Sequence, residues 1–179
     1  MAIEKTETGK KAGLIIFDLI LTALLIAADR VSKIAAVNRL MGKEDYVLID
    51  GVLRFHYLEN RGAAFSMLQD AKVLFVLATA VMLVAVCYIL MKVPTGKKYL
   101  AWHFCLSMIA AGGIGNLVDR LRYSYVIDFI YFDLINFPVF NVADICVTVA
   151  VAVLVIFILL VWKDEDTKFL ELSFKKQKS

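Results

Sequence analysis

Four apolar stretches, Ala12 to Val31, Val73 to Met91, Tyr99 to Val118 and Phe137 to Trp162, constrain this chain more than any other feature. Each reaches the ~20 residues needed to cross ~30 Å of hydrocarbon, allowing for tilt. The second carries no charge. Because a backbone in lipid must satisfy its own hydrogen bonds, stretches of this length predict an all-α membrane protein with four transmembrane helices. Composition agrees: 61% of the 179 residues are hydrophobic, more than a soluble domain can bury in its own core. The connections are too short to fold separately, so residues 1–179 read as one integral membrane domain.

The net charge of +3 is spread over termini and loops and forms no basic stripe, which argues against a nucleic-acid surface and for attraction to membrane lipid. Cys87, Cys105 and Cys146 each fall inside a span and share no metal-ligand spacing, so they read as free buried thiols. Lys10 and Lys11 before the first stretch resemble the n-region of a cleavable signal peptide, but no small-x-small cleavage site precedes Asp29. The cluster Asp29, Arg30, Lys33 reads instead as a helix end. Asp18, near the start of this helix, is expected to snorkel toward the interface.

Eleven Lys or Arg lie in the N-terminus, the Lys92 to Lys98 turn and the C-terminal tail, against nine on the other side. The bias strengthens once Arg30, Lys33 and Arg120 are set aside as members of polar constellations. Both termini are therefore expected in the cytoplasm. On the outer face, Tyr46 to Leu58 alternates in places and breaks at Asp50-Gly51, which predicts a hairpin in a small sheet. The stretch Arg122 to Asn136 mixes Tyr and Phe with Asp128 and Asp133 and reads as an interfacial loop or short helix.

With this orientation, four polar groups share the outer level: Asp29 with Lys33, Asn60 to Ser66, Asn116 to Arg120 continuing to Asp128, and Asn141 with Asp144. Charges this close to lipid are costly and mark candidate sites. Asp29 and Lys33 have the spacing of an ion pair on one helical face. Asp119 and Arg120 are expected to pair and hold helices together, beside Gly112, Gly113 and Gly115, which permit close approach. Phe137-Pro138 is a plausible helix start, which puts Asp144 about 9 Å below it. A desolvated carboxyl with a second one nearby can share a proton, activate water and protonate a leaving amine. The residues alone leave the partner of Asp144 open among Asp29, Asp119, Asp128 and Asp133.

Five ordered motifs narrow the choice: Asp29-Arg-Val-Ser-Lys33, Asn60-Arg-Gly-Ala-Ala-Phe-Ser66, Gly115-Asn-Leu-Val-Asp-Arg120, Val126-Ile-Asp-Phe-Ile130 and Phe137-Pro-Val-Phe-Asn-Val-Ala-Asp144. In order and in kind they resemble those of the bacterial lipoprotein signal peptidase family (signal peptidase II). The resemblance implies a four-helix aspartyl endopeptidase of the bacterial inner membrane, its site at the outer face, that cuts prolipoproteins before a diacylglyceryl-modified cysteine. It implies catalytic roles for Asp128 and Asp144, supporting roles for Asp29, Lys33, Asn60, Gly62, Asn116, Arg120 and Asn141, and no metal or other cofactor. The protein is expected to be a monomer, with His56 and His103 structural. A proton-coupled transporter is the rival, but such sites lie near the midplane between repeated halves, and this sequence shows neither. A non-catalytic assembly subunit would use the Gly-rich third helix as its packing face.

Overall fold

The computed structural model describes residues 2–62 and 72–171, residues 2–7 by backbone alone, so residues 63–66 of the second motif lie outside the described residues. In chain order the elements are α1 (Ala2–Leu40), β1 (Tyr46–Ile49), β2 (Leu53–Asn60), α2 (Lys72–Lys92), α3 (Leu100–Tyr123), β3 (Val126–Phe132), α4 (Val142–Leu160) and the short α5 (Asp164–Thr167). Four of the helices are long and apolar enough to cross a membrane, as the sequence predicts. The central one is α3, which buries Trp102, Cys105, Leu106 and Ala111 and is contacted by α1, α2 and α4. The outer helices turn large apolar side chains away from the bundle, among them Leu19 (65% exposed), Val81 (70%) and Leu159 (73%). Such a surface is tolerable only where lipid covers it.

Several boundaries differ from those the sequence predicts, each for a local reason. α1 has 39 residues, about 58 Å at 1.5 Å per residue. It runs past Asp29, Arg30 and Lys33, which sit within the helix and do not end it. The chain leaves the helix at Gly42, whose φ of +70° suits glycine. α4 begins at Val142 and not at Phe137: Phe140 pairs with Ile130, with Phe140 N–H donating to Ile130 O at 3.0 Å and Ile130 N–H to Phe140 O at 2.8 Å. Asn141 is the N-cap, so Asp144 lies in the first helical turn, shallower than a start at Pro138 implies.

The hairpin turns where Asp50-Gly51 places it, with Gly51 at φ +66° and Val52 N–H donating to Ile49 O at 3.0 Å. The middle of the stretch expected as a loop or short helix, Val126–Phe132, is a third strand. β3 runs antiparallel to β2 with Leu58 opposite Asp128 and Asn60 opposite Val126, giving the sheet order β1-β2-β3. Its β-branched and aromatic residues favour a strand. Beyond the last residues of α3, helical geometry there is confined to one 3-10 turn at Asp133–Ile135.

Asp18 does not snorkel. It is buried against α3, where its carboxylate pairs with His103 Nδ1 at 2.8 Å and accepts from Ser107 Oγ at 3.2 Å. Nearby, Trp102 of α3 stacks on Trp162, just beyond α4, with ring centroids 4.8 Å apart, and Phe169 meets Trp102 edge-on.

Gly112 fixes the approach of α3 to α4, because a Cβ there would lie 2.4 Å from the Ala143 carbonyl oxygen. Gly112→Ala must therefore displace backbone one residue from Asp144, and overpacking of this kind costs about 1–3 kcal/mol. The expected result is a lower melting temperature and reduced turnover. Gly13→Ala, where nothing lies within 4 Å, should leave both unchanged or slightly raise the melting temperature. Equal melting of the two variants in one detergent would refute this account of the helix contact.

Candidate active site

Two aspartates reach one cavity from different elements. Asp128 is the third residue of β3 and is buried, held opposite Leu58 by the sheet. Asp144 is half-buried in the first turn of α4, where it and Asn141 form a capping box: Asp144 N–H donates to Asn141 Oδ1 at 3.0 Å, and Asn141 N–H donates to Asp144 Oδ2 at 3.1 Å. The Phe140–Ile130 pairing holds this cap beside β3. The cavity, about 600 Å³, is lined by both aspartates, Asn60, Gly62, Asn116 and Arg120, and continues onto apolar residues of α4.

Each of the four carboxylate oxygens accepts an N–H. Asp128 Oδ1 accepts from Asn141 Nδ2 at 2.6 Å and Oδ2 from Asn60 Nδ2 at 2.8 Å. Asp144 Oδ1 accepts from Asn116 Nδ2 at 2.8 Å, and Oδ2 from the Asn141 backbone. The orientation of these amides is dictated by their other partners. Asn116 Oδ1 faces the ammonium of Lys33 at 2.8 Å, which can only donate, so its NH₂ must turn to Asp144. Asn141 spends its oxygen on the cap of α4, which leaves its NH₂ for Asp128.

Behind the asparagines lies a buried ionic layer. Lys33, with no exposed surface, pairs with Asp29 Oδ2 and Asp119 Oδ2 at 2.9 Å each and donates to Asn116, which uses all three of its donors. Asp29 Oδ1 accepts from Ala143 N–H at 3.0 Å, and Asp119 Oδ2 from Ile127 N–H at 3.3 Å, so each carboxylate grips the residue just before a cavity aspartate. The expected Asp29–Lys33 pair is present. The expected Asp119–Arg120 pair is not: Asp119 pairs with Arg30 at 3.0 Å as well as with Lys33. Arg120 turns to the cavity, donates to Gly62 O at 3.2 Å and lies over the Phe75 ring. Gly62 is tied back in turn, its N–H donating to Asn60 Oδ1 at 3.0 Å.

Arg30, expected at a helix end and within a polar constellation but given no partner there, pairs with Asp119 and also donates to Tyr123 Oη. The signal for it was its place one turn below Lys33 on α1. His56 braces the hairpin through Asp45 at 2.8 Å.

Burial, and next the neighbouring Asp144, push the Asp128 carboxyl up from its ordinary 3.8 to about 7, against the pull of Asn60, Asn141 and Lys33. A carboxyl that keeps its proton up to near neutrality beside a second carboxyl on the same cavity is suited to general acid–base catalysis. Among the described residues, no group of three or more His, Cys, Asp or Glu side chains could hold a metal ion.

Comparison with known proteins places this geometry. Residues 21–160 match the family described as Signal peptidase (SPase) II. A lipoprotein signal peptidase of Clostridium tetani is 41% identical over 84% of this chain and 97% of its own length. One from Streptococcus pyogenes is 42% identical over 80% of this chain and 91% of its own. A solved bacterial membrane enzyme, 26% identical, superposes with a TM-score of 0.72 over 92% of this chain and 94% of that one. On these grounds the chain belongs to the signal peptidase II family and is a membrane peptidase.

Proposed function

We propose that Asp128 and Asp144 are the catalytic pair of an aspartic endopeptidase that removes the signal peptide of prolipoproteins by cutting before a diacylglyceryl-modified cysteine. The observation that carries this reading is the pair of carboxyls on one cavity, with every oxygen anchored by an N–H from Asn60, Asn116 or Asn141. The anchoring bonds leave lone pairs facing the cavity for water and for the shared proton. One carboxylate takes a proton from water as the oxygen attacks the scissile carbonyl, while the other, protonated, polarises that carbonyl oxygen. The proton taken from water then passes to the leaving amine, which restores the pair.

The substrate class fits the cavity's shape. It runs from the polar layer onto Ile145 and Val149, 39% and 45% exposed on the lipid side of α4. Acyl chains can stay in lipid there while the peptide bond reaches the aspartates. Asp29, Lys33, Asn60, Gly62, Asn116, Arg120 and Asn141 act as supports, and Asp119 as a structural residue. The purified monomer, without a cofactor, should cleave a peptide bearing diacylglyceryl cysteine and spare the same peptide with an unmodified cysteine. Equal cleavage of the two would remove the lipid from the reading.

Catalysis should weaken as pH rises through about 7, where Asp128 loses its proton. Stability should show the same group. Between pH 3.8 and about 7 the unfolded chain has released this proton while the folded chain keeps it, so raising the pH favours unfolding across that window. Melting temperature should fall with pH there, and the slope should flatten in Asp128→Asn. An unchanged slope would show that the carboxyl does not titrate as its surroundings require.

The same reading puts both termini in the cytoplasm and the sheet outside, on the basic-residue bias of the flanking segments, and takes the bacterial cytoplasmic (inner) membrane from the family resemblance. In a cysteine-free background, a membrane-impermeant thiol reagent applied to intact cells should label Asp50→Cys in the hairpin and miss Gly96→Cys in the α2–α3 turn. The reverse pattern would invert the topology.

A further inference from the structure

A second buried polar cluster, which cleavage does not use, lies about 16 Å down α1 from Asp29 at 1.5 Å per residue. There the Asp18 carboxylate is held by His103 Nδ1 at 2.8 Å and Ser107 Oγ at 3.2 Å. His103 is 3% exposed, and its Nε2 has no partner among the described residues. A buried ring nitrogen left without a partner is costly unless something outside the protein supplies one. His103 and Asp18 line a separate cavity of about 250 Å³ between α1, the end of α2 and the start of α3, with Lys11 on its wall and Leu14, Leu19 and Leu90 around it.

We propose that this cavity is a phospholipid site, holding the phosphate of an anionic lipid between Lys11 and His103, with one acyl chain leaving along Leu14 and Leu19. The ring meets Asp18 through Nδ1, which leaves Nε2 as the atom that faces the bound head group. The two Asp18 oxygens are spent on His103 and Ser107, so neither is left open to a cation. Among the described residues Lys11 Nζ makes one long contact, donating to Met91 O at 3.4 Å, which leaves donors for a ligand. A basic segment of a substrate would meet Lys11 and be repelled, which favours an anionic occupant. Lys10, Lys92, Lys97 and Lys98 lie toward the same membrane face, where a basic rim draws anionic head groups. The apolar walls favour a lipid over free phosphate, whose remaining oxygens would be stranded among leucines.

The test is native mass spectrometry of the whole protein extracted from nanodiscs containing equal phosphatidylglycerol and phosphatidylcholine. One phosphatidylglycerol should be retained, and Lys11→Gln and His103→Phe should each reduce retention about fivefold, the worth of one basic contact at a membrane surface. Lys11 is exposed, so its variant reports even where His103→Phe does not fold. Three results would overturn the proposal: no retained lipid, equal retention of the two lipids, or retention unchanged in the Lys11 variant. Displacement by millimolar inorganic phosphate would assign the site to a soluble anion and overturn the lipid as its occupant. Nothing in this test depends on Asp128 or Asp144.

Discussion

Asp128→Asn and Asp144→Asn should each lower cleavage of a diacylglyceryl peptide by about a thousandfold or more while leaving a folded protein. An amide can neither accept the proton from water nor return one to the leaving amine, and general acid–base assistance alone is worth about 10² to 10⁴ in rate. In the proposed mechanism the two carboxyls act as one unit, so the double variant should be scarcely slower than either single one, whereas independent contributions would multiply. Stability should move the other way for Asp128. Its desolvated carboxyl is disfavoured when ionised, so Asp128→Asn should hold or raise the melting temperature above neutral pH. Substantial turnover by either folded single variant, or a double variant slower by the product of the two losses, would end the shared-proton account.

The largest stability loss is expected at Lys33. Lys33→Met removes the ammonium from between Asp29 and Asp119, carboxylates that are 3% and 1% exposed. Breaking a buried charge pair by deleting one partner costs about 3–5 kcal/mol, because the surviving charge cannot return to water. Asp119 keeps Arg30, so Asp29 bears most of the loss. Adding Asp29→Asn to Lys33→Met should therefore recover part of the melting temperature. Lys33→Arg should not rescue, since a planar guanidinium is larger than the closed site that the ammonium fills. Asp119→Asn should also destabilise, by loosening both cations and the Ile127 N–H. A Lys33→Met protein melting with the wild type would show that the ionic layer contributes nothing to the fold.

The helices were legible in the sequence because lipid imposes a length and a composition that few other structures satisfy. The Asp50-Gly51 turn was legible for a similarly local reason, the φ that glycine permits. β3 was not, because its partner β2 is more than sixty residues away in sequence and its β-branched pattern is short. Asp18 was misread because its burial depends on His103 and Ser107 of another helix. The pairing of Asp119 was misread for the converse reason: Arg120 is its neighbour in sequence, but successive residues on a helix point apart. Both cations that reach Asp119, Arg30 and Lys33, come from α1. Asp128 and Asp144 were brought together by resemblance, since no spacing rule links a strand residue to the first turn of a later helix.

The stacked Trp102 and Trp162 have an optical consequence. They are the only two tryptophans in the chain, and with their rings 4.8 Å apart they form one chromophore at the end of the bundle remote from the cavity. Intrinsic emission should thus register the undocking of the segment after α4 and stay silent when peptide occupies the site. Following occupancy by fluorescence would require a new indole placed near the cavity, with the native pair serving as an internal reference for the integrity of the bundle.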